Sequence, residues 1–128
     1  MNDFSFAKGY EIAGAVSRGD VSAQKVTEAA LAVIHTRNQT LNAFTDVTAE
    51  RALQRAKAID ADRAAGKQLG PLAGVPFAVK NLFDIEGLPT RAGSKINRDR
   101  APASRDAALI ERLEQAGAIL LGALNMGE

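Results

Sequence analysis

The sequence predicts an α/β fold, with a helical lead-in followed by a mixed β-sheet that has helices on both faces. Two observations support this prediction. Residues 1–69 repeat apolar side chains at helical spacing, whereas residues 70–128 hold two continuous apolar runs with an amphipathic segment between them. Continuous apolar strands joined through a helix are typical of a βαβ unit, whose strands pair in parallel through a right-handed crossover. We therefore divide the chain into a helical lead-in, 1–69, and the start of an α/β core, 70–128.

The lead-in begins with two predicted helices. The first runs from about Phe6 to Arg18 and ends at Gly19. The second covers AQKVTEAALAVIHTR and follows Ser22, whose hydroxyl is a good N-cap. Its buried face is predicted by four apolar residues that recur at helical spacing, Val26, Ala30, Val33 and Ile34.

The third predicted helix, from Thr48 to Ala65, has the clearest amphipathic pattern of the lead-in. Its apolar stripe consists of Ala49, Leu53, Ala56 and Ile59. Most of the charged residues fall off this stripe, as expected for a helix with one side facing solvent. Gly66 follows the last turn, where a glycine readily adopts the left-handed conformation that ends a helix.

The α/β core is predicted to open with a strand and a long loop. A turn is marked by Gly70, Pro71 and Gly74. The run VPFAVK that follows is short and apolar, with β-branched and aromatic residues, and therefore predicts a buried strand. Residues 81–104 show no clear period, and a loop of that length inside a compact domain is usually functional.

A helix and a second strand complete the predicted βαβ unit. Ser104 or Asp106 is predicted to cap the helix, and Gly117 to end it. The apolar face of this helix is formed by Ala107, Leu109, Ile110, Leu113 and Ala116. The run AILLGAL then predicts the second strand. Because the sequence stops at Glu128, little chain remains to cover that strand on both faces, so we expect a longer protein. A strand left uncovered would invite aggregation.

Composition excludes several classes of function. Lys and Arg number 16 and Asp and Glu 15, so the net charge of +1 gives no electrostatic reason to expect nucleic acid or an anionic membrane as a partner. The absence of cysteine excludes disulfides, thiolate nucleophiles and zinc–thiolate sites. The N-terminus lacks a signal-peptide pattern, and no apolar run approaches a membrane span of about 18 residues. We therefore expect a cytoplasmic protein.

Lys80 is the candidate functional residue because it ends an apolar strand. Most lysines at such a position are solvated. A desolvated lysine, however, has a lowered pKa, and its neutral amine can act as a general base or a Schiff-base nucleophile. In open α/β sheets, ligands lie beyond the carboxyl ends of the strands. The long loop, Asn125 and Met126 are predicted to share that edge with Lys80.

Two blocks of sequence resemble the start of the amidase signature family. The first is GPLAGVPFAVKNLFDIEGLPTRAGS, and the second is DAALIERLEQAGAILLGALNMGE. The family shows a G-P-L-x-G-[VIL]-P-x-x-[VI]-K-[DN] block, then G-x-x-T-x-x-G-S, then an N-M-x-E end, in this order. The resemblance is specific over residues 70–128, whereas residues 1–69 match the family's helical lead-in only by pattern. The residue after the lysine is often Asp in the family and is Asn81 here.

The resemblance implies a serine amidase that uses a Ser-cisSer-Lys triad and needs no cofactor. Lys80 would be the base toward a bridging serine, which in turn activates the nucleophilic serine, and its burial would serve this chemistry. In the family both serines lie on a Gly/Ser-rich segment further along the chain, and this sequence contains no such segment. Because complete members are several times longer, we expect the 128 residues alone to be an inactive N-terminal portion.

Within the family, KNLFDIEGLPTRAGSKIN most resembles the large catalytic subunit of the 1-carboxybiuret hydrolase branch, from cyanuric acid breakdown. That branch hydrolyses small urea-like amides and associates with a small helical partner subunit. A homo-oligomer is a further hypothesis, since the sequence does not reveal the oligomeric state. The A subunit of glutamyl-tRNA(Gln) amidotransferase shares the Ser-Lys-Ile stretch and the L-N-M-x-E end and stays an alternative. A third hypothesis is a non-catalytic structural or assembly module whose helices dock on another subunit.

Other polar residues are weaker candidates. Ser94 could line an active site but is better interpreted as a loop serine that bonds its own backbone. Asp84 and Glu86 could do acid–base work, although loop carboxylates beside a glycine usually serve turns. His35 falls beside the polar face of its helix, and no second ligand type clusters with it.

Two further groups of residues are assigned structural or solvent-exposed roles rather than catalytic ones. Asn125 and Met126 resemble family scaffold residues that pack behind the lysine. A basic run could steer an anionic substrate but is better interpreted as a solvated loop; it consists of Lys95, Arg98, Arg100 and Arg105.

Overall fold

A computed structural model describes residues 6–126 of the 128-residue chain. This part forms four α-helices, three β-strands and one short 3-10 helix. In chain order they are α1 (Gly9–Arg18), α2 (Ala23–Leu41), β1 (Phe44–Val47), α3 (Ala49–Ala64), β2 (Pro76–Lys80), the 3-10 helix (Lys95–Asn97), α4 (Ala108–Gln115) and β3 (Ile119–Leu124). None of these helices combines the length and the apolar character needed to cross a membrane.

The helix boundaries of the lead-in follow local sequence signals. Helix α1 ends at Gly19, whose φ of 80° lies in the left-handed region where glycine is favoured. Ser22 caps α2 as predicted, since its hydroxyl accepts a hydrogen bond from the Lys25 backbone N–H at 3.0 Å. Helix α3 closes before Gly66, which has a φ of 77°. These three helix boundaries confirm the sequence prediction.

The predicted cap of α4 is wrong. Neither Ser104 nor Asp106 caps this helix, whose N-cap residue is Ala107 without a side-chain hydrogen bond. The Asp106 carboxylate instead accepts hydrogen bonds from Arg51 on α3 and from the Glu86 backbone N–H. A guanidinium partner gives charge-assisted hydrogen bonds, which are stronger than a neutral cap, so the tertiary contact wins over the local one.

The sheet is mixed, with the strand order β1–β3–β2. Strands β2 and β3 are parallel, which confirms the predicted βαβ pairing, whereas β1 runs antiparallel to β3. Strand β1 lies inside the segment that the sequence predicts as helical and was missed there. The lead-in therefore supplies an edge strand of the sheet as well as three helices.

The expectation that β3 is left uncovered is wrong for the described residues. Strand β3 is central, and both of its faces are packed. On one face, Ile119 and Leu121 join a cluster with α1, α2 and α3. On the other face, Leu120 and Ala123 join a smaller cluster with α4. Helices therefore lie on both faces, as the sequence predicts.

The second cluster positions the end of β2 and the loop that follows it. It contains Val79 from β2, Ile85 from the loop and Ile110 from α4. Ile110 and Leu120 are fully buried, and each such side chain contributes about 1.5–3 kcal/mol relative to exposure. Because Ile85 is only 3% exposed, the loop after β2 is anchored in the core within five residues of Lys80.

Candidate active site at the carboxyl edge of the sheet

The structure gathers the predicted polar edge in one place. Lys80 ends β2 and pairs with Leu124, the last residue of β3. Leu124 also pairs with Phe44, the first residue of the antiparallel strand β1. Two carboxyl ends and one amino end of strands therefore meet here. Ligands of open α/β sheets bind at this kind of edge, so the geometry agrees with the sequence-based location of the candidate site.

Lys80 itself is exposed, which corrects the expectation of a buried amine for residues 6–126. Side chains alternate along a strand, so Val79 enters the core and Lys80 points away from it. Within the described residues, the Lys80 side chain makes no hydrogen bond and no ion pair. This part of the chain therefore places the amine at the edge without supplying the desolvation that the sequence hypothesis requires.

Asn81 is the buried polar residue of this edge, with only 3% of its surface exposed. Its backbone N–H donates to the Leu124 carbonyl of β3 at 3.0 Å. Its side-chain carbonyl accepts from the Gly93 N–H at 3.1 Å, and its own backbone carbonyl accepts from the Ala92 N–H at 3.1 Å. The residue directly after Lys80 is thus tied both to the central strand and to the loop.

The turn at Ala92 and Gly93 is shaped to meet Asn81. Both residues have a left-handed φ, 49° for Ala92 and 74° for Gly93. A left-handed alanine is uncommon and costs about 1–2 kcal/mol, whereas glycine adopts this region freely. Consecutive left-handed residues direct two successive N–H groups at one neighbour, and here both are satisfied by Asn81. The hydrogen bonds to a buried amide offset the strain.

A second connection reaches Asn81 from β1. The Asn81 side-chain N–H donates to the Thr45 hydroxyl at 3.3 Å. The hydroxyl lies 3.2 Å from a carboxylate oxygen of Asp46, and Arg91 pairs with the other oxygen at 3.4 Å. The pairing of β1 with β3 is irregular between Phe44 and Asp46, so Thr45 occupies a bulge. Bulges redirect side chains and are frequent beside active sites.

The G-x-x-T-x-x-G-S motif builds the loop rather than a catalytic group. Gly87 has a φ of 87° and opens a turn. The Thr90 hydroxyl donates to the Asp84 carboxylate at 2.5 Å, which gives Asp84 the turn-supporting role predicted for it. Glu86 is exposed, and its backbone bridges to Ala103. The Asp84 carboxylate and the Glu86 backbone therefore hold the loop in separate ways.

Ser94 is half-buried at the start of the 3-10 helix. Its hydroxyl makes no hydrogen bond within the described residues, so the predicted bond to its own backbone is not found. Lys95, Arg98, Arg100 and Arg105 are all exposed, which agrees with a solvated basic loop.

His35 is exposed on α2, away from any cluster of ligand-type side chains. Over residues 6–126, no group of three or more His, Cys, Asp and Glu residues is arranged to hold a metal ion.

Asn125 and Met126 follow β3 at the same edge. The Asn125 backbone N–H donates to the Ala43 carbonyl at 2.8 Å, which extends the contact between β3 and the start of β1. Its side-chain carbonyl accepts from the Met126 N–H at 3.0 Å, forming a local turn. Asn125 is exposed and Met126 is half-buried. These contacts join the two strands, and packing of Asn125 and Met126 behind Lys80 stays a prediction.

A charged cluster lies elsewhere, between α3 and α4, and sequence reasoning missed it. The Arg51 guanidinium donates to both oxygens of Asp106, at 2.9 and 2.7 Å, and to Glu114 at 3.2 and 2.7 Å. The Arg51 hydrogen bonds hold the pKa of Asp106 below its usual value, against an opposing effect of burial. The same bonds, led by Asp106, raise the pKa of Arg51.

This cluster lines an open cleft together with Arg55 and Glu86. Arg55 also donates to the backbone carbonyl of Glu114, at the C-terminal end of α4. Since Arg51 binds the carboxylates of Asp106 and Glu114, we interpret the charged cluster that lines this cleft as a structural contact that holds α3 and α4 together. It was not predictable because its partners are more than 50 residues apart.

The comparison with known proteins defines the class. The sequence profile of the Amidase family matches residues 25–128, which is most of the chain. The chain therefore belongs to the Amidase family, and the resemblance found in the sequence is confirmed. Its fold matches a solved bacterial aryl acylamidase of the amidase signature enzymes with a TM-score of 0.88 at 26% identity, over 95% of this chain and 26% of that one.

Two curated proteins are more similar to this chain in sequence. The 1-carboxybiuret hydrolase subunit AtzE of Pseudomonas sp. (strain ADP) is 56% identical over 94% of this chain and 26% of its own length. The glutamyl-tRNA(Gln) amidotransferase A subunit of Salinispora arenicola (strain CNS-205) is 45% identical over 100% of this chain and 26% of its own length. The chain thus spans about a quarter of the length of these relatives.

A solved structure supports the first of these similarities. This structure is the inhibitor-bound form of a vestigial protein complex that is described as revealing the evolutionary origins of an s-triazine catabolic enzyme. Its fold matches this chain with a TM-score of 0.92, at 56% sequence identity. The match covers 94% of this chain and 26% of that chain.

Proposed function

We propose that this chain is the N-terminal portion of a cytoplasmic serine amidase that hydrolyses a small amide or urea-like substrate, 1-carboxybiuret in the first place. The single observation that carries the substrate class is the 56% identity to the AtzE subunit. The observation that carries the chemistry is the position of Lys80, which ends β2 at the edge of the sheet. The proposed active site therefore contains Lys80 and acts on a urea-like substrate.

In this proposal Lys80 is the base of a Ser-cisSer-Lys triad. A serine hydroxyl is a weak nucleophile at neutral pH and needs a neighbouring base. The neutral Lys80 amine takes the proton of a bridging serine, which takes the proton of the nucleophilic serine as that oxygen attacks the substrate carbonyl. The leaving nitrogen departs with a proton, and water then hydrolyses the acyl-enzyme. No cofactor enters these steps.

The exposure of Lys80 defines what the rest of the protein must do. A lysine works as a base only when part of its population is neutral, and burial favours that form. Residues 6–126 leave the side chain exposed. The proposal therefore requires the serine-bearing portion of the full protein to cover the carboxyl edge and exclude water from the amine.

The test uses the complete protein encoded by the full open reading frame. Ammonia or amine release is measured with 1-carboxybiuret, biuret and a simple aliphatic amide, for the wild type and for Lys80→Ala. We expect hydrolysis of the urea-like substrates and a loss of at least about a hundredfold in kcat for Lys80→Ala. Lys57→Ala, an exposed lysine of α3, is the matched control and should keep wild-type activity.

The proposal fails if Lys80→Ala hydrolyses these substrates at the wild-type rate. It fails in its substrate assignment alone if the wild type is an active amidase that ignores 1-carboxybiuret while Lys80→Ala abolishes the activity it does have.

A second candidate function is that of a glutamyl-tRNA(Gln) amidotransferase A subunit. The match over 100% of this chain favours it, although its identity of 45% is lower. Such a subunit would release ammonia from glutamine and pass it on in a complex. Glutaminase activity that depends on added partner subunits, with no hydrolysis of 1-carboxybiuret, would select this alternative.

The structural-module hypothesis and the partner can be tested together. The solved relative with 56% identity belongs to a protein complex, which motivates a search for a small helical partner subunit and for homo-oligomers. Size-exclusion chromatography with light scattering on the complete protein, alone and coexpressed with neighbouring small genes, measures both. An inactive protein that still forms a complex would favour a non-catalytic module.

A further inference from the structure

We infer that the hydrogen bond between Thr45 and Asn81 is a positioning contact for Lys80, so that Thr45, on a different strand, sets the rate of the proposed reaction. This inference rests on the proposed function, because it concerns the base assigned there. It concerns a residue that none of the sequence motifs contains. Neither side chain is assigned to touch substrate, and both act through the backbone that carries Lys80.

The first step is the saturation of Asn81. Both of its backbone polar groups and both of its side-chain polar atoms are hydrogen-bonded. The partners come from three segments: β3, the turn at Ala92 and Gly93, and Thr45 on β1. A buried amide held on every side fixes the peptide plane directly after Lys80. The lysine Cα therefore cannot shift unless this set of bonds breaks.

The second step is the direction of the hydrogen bonds. An asparagine can accept from Gly93 with its carbonyl and donate to Thr45 with its N–H at the same time. The Thr45 hydroxyl can then use its own hydrogen toward Asp46 at 3.2 Å or the Ala123 carbonyl at 3.4 Å. A carboxylate at position 81 could only accept, so the Thr45 hydroxyl would have to donate to it and could not also donate to Asp46 or Ala123. The amide at 81 thus matches the threonine at 45.

The third step is closure of the network. Asp46 pairs with Arg91, and Arg91 directly precedes the two residues whose N–H groups bind Asn81. The contacts that lead from Asn81 to Thr45 and Asp46 thus end at Arg91, beside the same turn that binds Asn81. We name Thr45, Asp46, Asn81 and Arg91 the edge network. Its members lie on both sides of the central strand β3, so it resists motion of β2 relative to β1.

The test compares Thr45→Val with Thr45→Ser in the complete protein. Valine keeps the shape and removes the hydroxyl, which leaves the buried Asn81 N–H unpaired, whereas serine restores the hydroxyl. We expect Thr45→Val to lower kcat by about tenfold to a hundredfold, as small misplacements of catalytic groups do, with KM changed by less than about twofold. Thr45→Ser should return kcat to within about threefold of the wild type.

Thr36→Val is the matched control, because Thr36 is an exposed threonine whose hydroxyl bonds only the Ala32 carbonyl of its own helix. It should keep wild-type kcat. A purely structural role of Thr45 would lower the amount of folded enzyme and leave kcat per active site unchanged, so active-site titration separates the two roles.

The outcomes are distinct. Wild-type kcat in Thr45→Val, together with loss of activity in Lys80→Ala, overturns this inference and leaves the proposed function standing. Wild-type activity in Lys80→Ala overturns the proposed function itself. If Thr45→Val does not fold, Arg91→Gln tests the network from its other end. It should lower kcat by about threefold or more, and unchanged kcat there overturns the inference.

Discussion

Arg51 on α3 donates to both carboxylate oxygens of Asp106, at 2.9 and 2.7 Å, across 55 residues of sequence. The same guanidinium binds Glu114 near the C-terminal end of α4. Because Asp106 precedes α4 and Glu114 lies in its last turn, one side chain holds both ends of that helix. The helices on opposite faces of the sheet are thereby joined around its side.

We predict that Arg51→Lys destabilises the complete protein by about 1–3 kcal/mol, since lysine cannot reproduce a fork that binds two carboxylates. The free energy of unfolding is measured by urea titration. Arg18→Lys is the control, because the Arg18–Asp20 pair is exposed and exposed pairs contribute little. Equal stability of Arg51→Lys and wild type would contradict the structural role assigned to the cluster.

The lowered pKa of Asp106 predicts that the free energy of unfolding decreases at acidic pH. A carboxyl whose folded pKa lies below its unfolded value stabilises the fold above the unfolded pKa and loses this contribution as pH falls through the folded pKa. The loss should therefore begin below about pH 3.9, the ordinary aspartate value. Urea midpoints from pH 7 to pH 2.5 should converge for wild type and Asp106→Asn as the pH falls. A constant gap between the two would show that Asp106 does not titrate in this way.

Gly122 sits where β1 approaches β3 too closely for a side chain. A methyl group at this position would overlap the Asp46 backbone carbonyl and press on the Phe44 ring. We predict that Gly122→Ala destabilises the protein by about 1–3 kcal/mol through overpacking and lowers kcat by shifting Asp46 and Thr45. Gly66→Ala is the comparison, because its left-handed φ carries strain but nothing lies within 4 Å. If Gly122→Ala keeps wild-type kcat, β1 does not support the site.

Residues 1–128 expressed alone should show no amidase activity. The proposed base is present, but the serines that the family resemblance requires are expected on a segment outside this sequence. The measurement is product release at high protein concentration over a long incubation, with the complete protein as the positive control. Turnover that disappears on Lys80→Ala would show instead that these residues contain a working site.

The parts of the fold that rest on local signals are predictable. Ser22 and Gly19 mark helix ends by their own chemistry, and the apolar runs 75–80 and 118–124 predict buried strands because their core faces are continuous. Strand β1 is not predictable in the same way. FTDV is four residues long, carries two polar side chains and becomes a strand only by pairing with residues almost 80 positions later.

In the candidate site too, features set by local sequence are predictable and features set by distant contacts are not. Lys80 is predicted because its position in the βαβ unit follows from the two strands. The importance of Asn81 is not predicted, since its partners, Thr45 and Gly93, lie 36 residues before and 12 residues after it. The false cap at Asp106 has the same origin, because a local rule assigned a carboxylate that a distant arginine binds.

The central place of β3 has a consequence for the order of folding during synthesis. The larger apolar cluster contains residues of α1, α2 and α3, and its members Ile119 and Leu121 on β3 are synthesised last. Contacts between such distant segments slow folding because a long stretch of chain must first be closed. On the ribosome, the apolar side chains of α1, α2 and α3 that β3 covers therefore stay exposed until β3 emerges. During that interval the chain offers a chaperone the largest apolar surface to bind.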